Sequence, residues 1–260
     1  MKPNRLRERF KENKAVINGW LLLPSPYTAE AMAQSGWDSI TIDVQHGMLD
    51  YSSAMAAIQA MQGYPVTPLA RVPVNEPGII GKLLDAGALG LICPMVNTAA
   101  DARALVAASR YPPLGSRSFG PIRARAYSGA TPYHEIANDH ILILPQIETM
   151  EAVGNVEAIL DVPGISGIYV GPGDLAFSRG LVPMLDREEP EILAIYETLL
   201  AATHARGKIA GIQNGSAAYA VRMVKLGFQF LTVSSDLTCL VMGAREAITA
   251  TRKGAGAIAE

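Results

Sequence analysis

Eight short apolar runs, separated by stretches of helical periodicity, constrain the fold of this chain more tightly than any other feature. They cover residues 20–23, 40–44, 67–72, 91–96, 141–147, 165–170, 209–212 and 230–233. Each is continuous in apolar character rather than alternating, as in parallel strands covered on both faces. Helical patterns fill the gaps: over residues 188–206, Ile192, Ile195, Tyr196, Leu199, Leu200 and Thr203 fall on one face of a 3.6-residue period. Asn75-Glu76-Pro77 reads as another helix start, with Asn75 as the capping side chain two places before a first-turn proline. Strand and helix alternating eight times predict parallel sheet with crossover helices. In 260 residues that favours a single-domain α/β fold, a (β/α)8 TIM barrel, which typically takes roughly 250 residues. An open doubly wound sheet is the competitor, and the first run is not followed by Gly-x-Gly-x-x-Gly. The interval between Met95 and His140 is too long for one repeat, so an inserted loop is expected over residues 111–138, rich in Gly, Pro, Arg and Tyr. No Gly/Ser linker divides the chain, and one domain is expected over residues 1–260.

Composition narrows the function classes. Hydrophobic residues make up 49% and charged residues 18%, below the usual roughly 25% charged, which suits a compact enzyme with much buried surface. The net charge of −2, from 22 basic and 24 acidic residues, carries no electrostatic footprint for nucleic acid or an anionic membrane. Cys93 and Cys239 stand far apart without a Cys-x-x-Cys or Cys/His cluster, and are expected to be free thiols in a reducing compartment. The first ten residues are charged without an apolar core, and the longest uncharged stretch, residues 51–70, is broken by Gly63 and Pro65. A cytoplasmic protein without signal peptide or membrane span is expected.

Polar residues gather at the C-terminal ends of the runs. His46 follows the second and Arg71 ends the third, 25 residues later; Gln146 and Glu148 end the fifth, and Asp174 follows the sixth, 26 residues after Glu148. Each spacing is about one βα repeat, which in a barrel sets these side chains around the rim where such folds carry active sites. Glu148 and Asp174 on neighbouring strand ends would repel unless a cation or proton lay between them. Oxygen ligands completed by water suit Mg2+, Mn2+ or a similar hard ion; an acid/base pair, or Asp174 as a helix cap, is the alternative. Gly171-Pro172-Gly173-Asp174 is either an anion-binding turn at a helix N-terminus or a plain Gly-Pro turn. Arg71, ending an apolar run, needs an anionic partner: a developing enolate or oxyanion, or a carboxylate in a rim salt bridge. Of the four histidines only His46 has the address of an acid/base. No lysine ends a strand run, with Lys208 preceding the seventh, which disfavours a Schiff-base mechanism and leaves electrophilic assistance to a metal.

Taken in order, Asp43-Val44-Gln45-His46-Gly47, Leu69-Ala70-Arg71-Val72, Leu84-Asp85-Ala86-Gly87-Ala88, Pro112-Pro113-Leu114-Gly115-Ser116-Arg117, Gln146-Ile147-Glu148 and Val170-Gly171-Pro172-Gly173-Asp174-Leu175 resemble the HpcH/HpaI aldolase family, metal-dependent class II pyruvate aldolases. The resemblance implies a carbon–carbon lyase that cleaves a 4-hydroxy-2-oxo acid to pyruvate and an aldehyde. It implies Glu148 and Asp174 as ligands of Mg2+ or Mn2+, with Co2+ or Zn2+ as alternatives, and Gln146 and the Gly173 backbone as pyruvate contacts. Arg71 would steady the enolate oxygen, and His46 would act as base paired with Asp85 across a subunit boundary, in a homohexamer built as a dimer of trimers. Trp20 and Arg123 fall near pocket positions. The chain departs from the family in having Gln45 where glutamate is usual, a glycine at 173, and a polar segment over residues 211–215. A CoA-thioester lyase of the citramalyl type and a non-catalytic 2-oxo-acid binder are the rival readings.

Overall fold

In a computed structural model, which describes residues 4–255, eight parallel strands close into a barrel in sequential order. They are β1 (Val16–Leu21), β2 (Ser39–Asp43), β3 (Thr67–Arg71), β4 (Gly90–Cys93), β5 (Leu142–Ile147), β6 (Gly167–Val170), β7 (Ile209–Gln213) and β8 (Phe230–Ser235). β1 pairs with both β2 and β8, so no sheet edge is left open. The (β/α)8 expectation holds, and its competitor, the open sheet, is excluded.

Alternation along each strand explains the interior. Residues two apart share a face, so Val16, Asn18 and Trp20, then Ser39, Thr41 and Asp43, then Leu69 and Arg71, then Leu142, Leu144 and Gln146 belong to the inner series. Its lower part is apolar: Val16, Trp20, Leu69, Ile92, Leu142, Leu144, Tyr169 and Phe230 pack as one cluster, closed from below by Leu6 and Phe10 of the helix Arg5–Lys11. Trp20 stacks on Tyr169 at 6.0 Å between ring centroids, and Phe10 meets Phe230 edge-on at 6.3 Å. The other faces pack against the surrounding helices in a second, larger cluster. Gly90 is dictated by this packing, since a Cβ there would lie 2.5 Å from Leu69 Cδ2.

Three expectations need adjustment. β1 starts at Val16, four residues earlier than its apolar run, because Asn18 and Gly19 interrupt the pattern. Asn18 is fully buried; its amide donates to Thr232 Oγ1 at 2.9 Å and its carbonyl accepts from Ser39 and Thr41, which makes a polar residue acceptable inside the barrel. The helix Pro77–Ala86 is capped by Glu76, not Asn75: the Glu76 carboxylate accepts from the amides of Gly78 and Ile79, while Asn75 Nδ2 donates to the Asp101 carbonyl. The segment expected as a loop over 111–138 contains the helices Ile122–Ala126 and Tyr133–His140.

The final helix, Asp236–Ala255, has little intrachain cover. Asp236 anchors it by accepting the amides of Leu22 and Leu23, but every residue over 238–255 is exposed, including Leu240, Val241, Met242 and Ile248.

Candidate active site

Asp43 ends the inner series of β2 and is fully buried. Its carboxylate holds Arg71 bidentately: Nε donates to Oδ1 at 2.9 Å and Nη2 to Oδ2 at 2.5 Å. The register pairs Asp43 with Arg71, so the two side chains meet without a detour. Trp20 Nε1 also donates to Oδ2, at 3.1 Å, and the backbone amides of Gln45 and His46 donate to Oδ1 at 3.0 and 3.1 Å. Burial pushes the Asp43 carboxyl up, but Arg71 and the remaining donors outweigh it and hold the group below its ordinary value. One carboxylate therefore fixes Arg71, the indole of Trp20 and the turn that carries His46. The Arg71 guanidinium lies 4.9 Å from the Trp20 ring, which supports it from below. Sequence reasoning passed over Asp43 as a member of a turn motif; its place two residues beyond Thr41, ending a buried strand next to a buried arginine, was the available signal.

Across the mouth, Gln146 and Glu148 continue the inner series of β5. Glu148 is 2% exposed. One oxygen accepts the Met95 amide at 2.8 Å and the other accepts from Gln146 Nε2. Met95 adopts a left-handed backbone, φ 54, which directs its amide at the carboxylate. Burial raises the Glu148 carboxyl above its ordinary value, and Asp174 raises it further, which places the two acidic groups within electrostatic reach. Asp174 stands exposed in the first turn of the helix Pro172–Ser178. Among the described residues neither acidic side chain forms an ion pair with Lys or Arg.

This donor set fits a hard cation. Glu148 is a buried carboxylate in no ion pair among the described residues, and Gln146 Oε1 is buried without a hydrogen-bond partner among them. The described residues contain no cluster of three or more His, Cys, Asp or Glu side chains suited to a metal, so two carboxylates would leave the remaining positions to water and substrate oxygens. Gly171 presses on the pair: a Cβ there would come 2.8 Å from both Gln146 Nε2 and Glu148 Oε2. Gly173, by contrast, faces open space.

The remaining expected residues divide. His46 is exposed on the turn after β2, held through its backbone by Asp43. Trp20 reaches the site only as a floor beneath Arg71, being 2% exposed. Asp85 is not brought to His46 within the chain; it lies near the end of Pro77–Ala86, at the opposite end of the barrel, and pairs with Arg117. Arg123 is likewise displaced from the mouth: its guanidinium donates to the Ala86 carbonyl and to Gln62 Oε1, both at 2.6 Å, because the helix Ile122–Ala126 packs on the outside of the barrel. Lys208 sits at the N-terminal end of β7, as the argument against a Schiff base required.

Fold and mouth together define a (β/α)8 barrel whose rim pairs an anchored arginine with two oxygen-donor carboxylates. The chain belongs to the HpcH/HpaI aldolase/citrate lyase family, whose model matches residues 17–242. It is 40% identical over 249 residues to the hydroxypyruvate/pyruvate aldolase of Rhizorhabdus wittichii, covering 96% of this chain and 99% of the relative. It is 39% identical to the 4-hydroxy-2-oxo-heptane-1,7-dioate aldolase of Salmonella typhimurium, covering 95% and 94%. Among solved structures, an HpcH/HpaI aldolase/citrate lyase family protein from Burkholderia cenocepacia superposes with a TM-score of 0.89 at 32% identity, over 96% of this chain and 99% of that one.

Proposed function

We propose that the chain is a divalent-metal-dependent class II pyruvate aldolase that reversibly cleaves a 4-hydroxy-2-oxo acid to pyruvate, or a related 2-oxo acid, and an aldehyde. The observation that carries this reading is the mouth itself: a buried, unpaired Glu148 and an orphaned Gln146 oxygen facing an arginine held in place by Asp43. Glu148 and Asp174 would hold Mg2+ or Mn2+, with Co2+ or Zn2+ able to use the same oxygens. The ion, when bound, polarises the 2-oxo group of a chelating substrate. Gln146 and the Gly173 amide orient the substrate carboxylate. Arg71 faces the oxygen on which charge develops as the C3–C4 bond breaks, and a fixed guanidinium stabilises that charge without reorganising. His46 takes the proton from the 4-hydroxyl. The activities named for the two relatives support pyruvate or hydroxypyruvate as the nucleophilic half.

Asp85 would then serve His46 only across a subunit boundary, within a homohexamer arranged as a dimer of trimers. The uncovered stripe of Asp236–Ala255 supports assembly, since exposed apolar surface of this extent marks an interaction site. We place the enzyme in the cytoplasm; no described helix is long and apolar enough to cross a membrane. Small-molecule substrates suffice, with no nucleic-acid or membrane partner. A CoA-thioester lyase would need cations beside the mouth, whereas Arg7, Lys11, Arg110, Arg206 and Lys208 line a cleft at the other end of the barrel.

The test is exchange of pyruvate methyl protons with solvent deuterium, followed by NMR with Mn2+ or Mg2+ and with chelator. Metal-dependent exchange that disappears in Glu148→Ala and Arg71→Ala is the expected result. Exchange that resists chelation overturns the metal reading, and pyruvate binding without exchange identifies a non-catalytic binder.

A further inference from the structure

Away from the mouth, a cleft of about 1170 Å³ opens at the opposite end of the barrel, below the starts of β5 to β8. Five cations line it, Arg7, Lys11, Arg110, Arg206 and Lys208, against two carboxylates, Glu8 and Asp139. That surplus of positive charge is concentrated on one surface of a chain whose net charge is −2. Arg206 is committed to Glu157 and Asp161. Arg7, Arg110 and Lys208 form no ion pair among the described residues.

Neutral carbonyls hold these three in place instead. Arg7 Nη2 donates to Ile141 O at 3.0 Å, Arg110 Nη2 to Gly164 O at 2.9 Å and Nη1 to Asn138 O, and Lys208 Nζ to Leu160 O. A carbonyl orients a cation but does not neutralise it. Arg110 shows the consequence: burial, and then repulsion from Arg7, lower its guanidinium to about 10. Burial likewise lowers Lys208 and Arg7. Arg7 and Arg110 lie within electrostatic reach of one another with Asp139 answering them only from a distance, and with Lys208 they line one cleft as cationic N–H donors, the chemistry that binds phosphate. His140 Nδ1 in the same wall is buried without a partner. A structural role explains the carbonyl contacts but not why so many like charges converge on an open cleft, since each costs stability unless an anion answers it.

We propose that this cleft binds a phosphate-bearing metabolite of nucleotide or sugar-phosphate size, at a site separate from the mouth and independent of the chemistry there. Its volume is ample for such a ligand, and Phe10 and Leu114 offer apolar surface beside the cations.

Isothermal titration of the full chain with pyrophosphate and with ADP, in chelator so that the mouth carboxylates recruit no ion, tests the proposal. Saturable binding of one anion per chain is expected. Lys208→Gln, and separately Lys11→Glu on the rim, should each weaken it by about tenfold or more, while Arg71→Ala at the mouth leaves it unchanged. Thermal melts of each variant establish that it is folded. Absence of saturable binding up to about 5 mM, weaker than the millimolar regime, overturns the site. So does binding that survives both cleft substitutions or is lost in Arg71→Ala. Citrate binding more tightly than pyrophosphate overturns the phosphate class.

Discussion

Replacing Asp43 with asparagine tests the architecture of the mouth without changing its shape. The carboxylate accepts five donors, three on Oδ1 (Arg71 Nε and the amides of Gln45 and His46) and two on Oδ2 (Arg71 Nη2 and Trp20 Nε1). Whichever oxygen becomes an amide nitrogen, its N–H groups face at least two other N–H donors, and the Arg71 fork loses one prong in either orientation. Both partners are buried, with side-chain exposures of 8% and 0%, so solvent does not screen the loss. Breaking a buried pair from one side costs roughly 3–5 kcal/mol. In a chain of this size that lowers the melting temperature by about 6–20 °C, at roughly 2–4 °C per kcal/mol. Turnover should fall on the order of 10²–10³-fold, the loss typical of one misplaced oxyanion donor. Asp43→Asn/Arg71→Met, which removes both charges, should recover part of the stability but none of the activity. Thermal denaturation and steady-state aldol cleavage read the two quantities. A single variant that loses less than about 1 kcal/mol, the worth of a surface ion pair, and retains full turnover would refute the claim that Asp43 organises Arg71.

Four further outcomes are expected. Burial raises the Glu148 carboxyl in the fold, so its ionisation disfavours folding as pH rises above the ordinary 4.5; Glu148→Gln should therefore melt higher than the parent in metal-free buffer at pH 7. The same variant should lose the stabilisation that Mn2+ at a hundred times its dissociation constant gives the parent, about 2.7 kcal/mol, measured by thermal shift. Asp43 is depressed, so its contribution is complete above the ordinary 3.8 and is lost as pH falls through the lower folded value; Asp43→Asn should flatten the acid limb of the stability profile, and an unchanged limb would contradict it. Leu240→Glu with Ile248→Glu on the exposed final helix should reduce the assembled mass seen by light scattering, and an unaltered mass would dismiss that face as an interface.

Much of the fold was legible because β-strand runs buried on both sides leave a strong apolar signal, and seven of the eight runs overlap their strands closely. The first failed at its start since Asn18 is polar in a place where only the pairing with Ser39, Thr41 and Thr232 makes it tolerable. Such partners come from strands far apart in sequence. Within the candidate site, Gln146, Glu148 and Arg71 were readable from their positions at strand ends. Asp43 hid in plain view because Trp20 and Arg71 reach it only when β1 and β3 pair on either side of β2. Arg123 and Asp85 were less legible, because motif proximity says nothing about which end of a helix faces the mouth of its own barrel: within the chain Asp85 pairs with Arg117 and Arg123 holds the Ala86 carbonyl.

The left-handed turn at Met95 has a consequence for anyone reshaping the rim. Because the same carboxylate accepts the Met95 amide and borders the proposed cation position, loading that position would be felt by a peptide group whose side chain stands 53% exposed to solvent. Residue 95 is thus a natural attachment point for a reporter group, and a poor place for a branched side chain, which resists that backbone twist. Glycine or asparagine would keep the twist and so preserve the grip on Glu148.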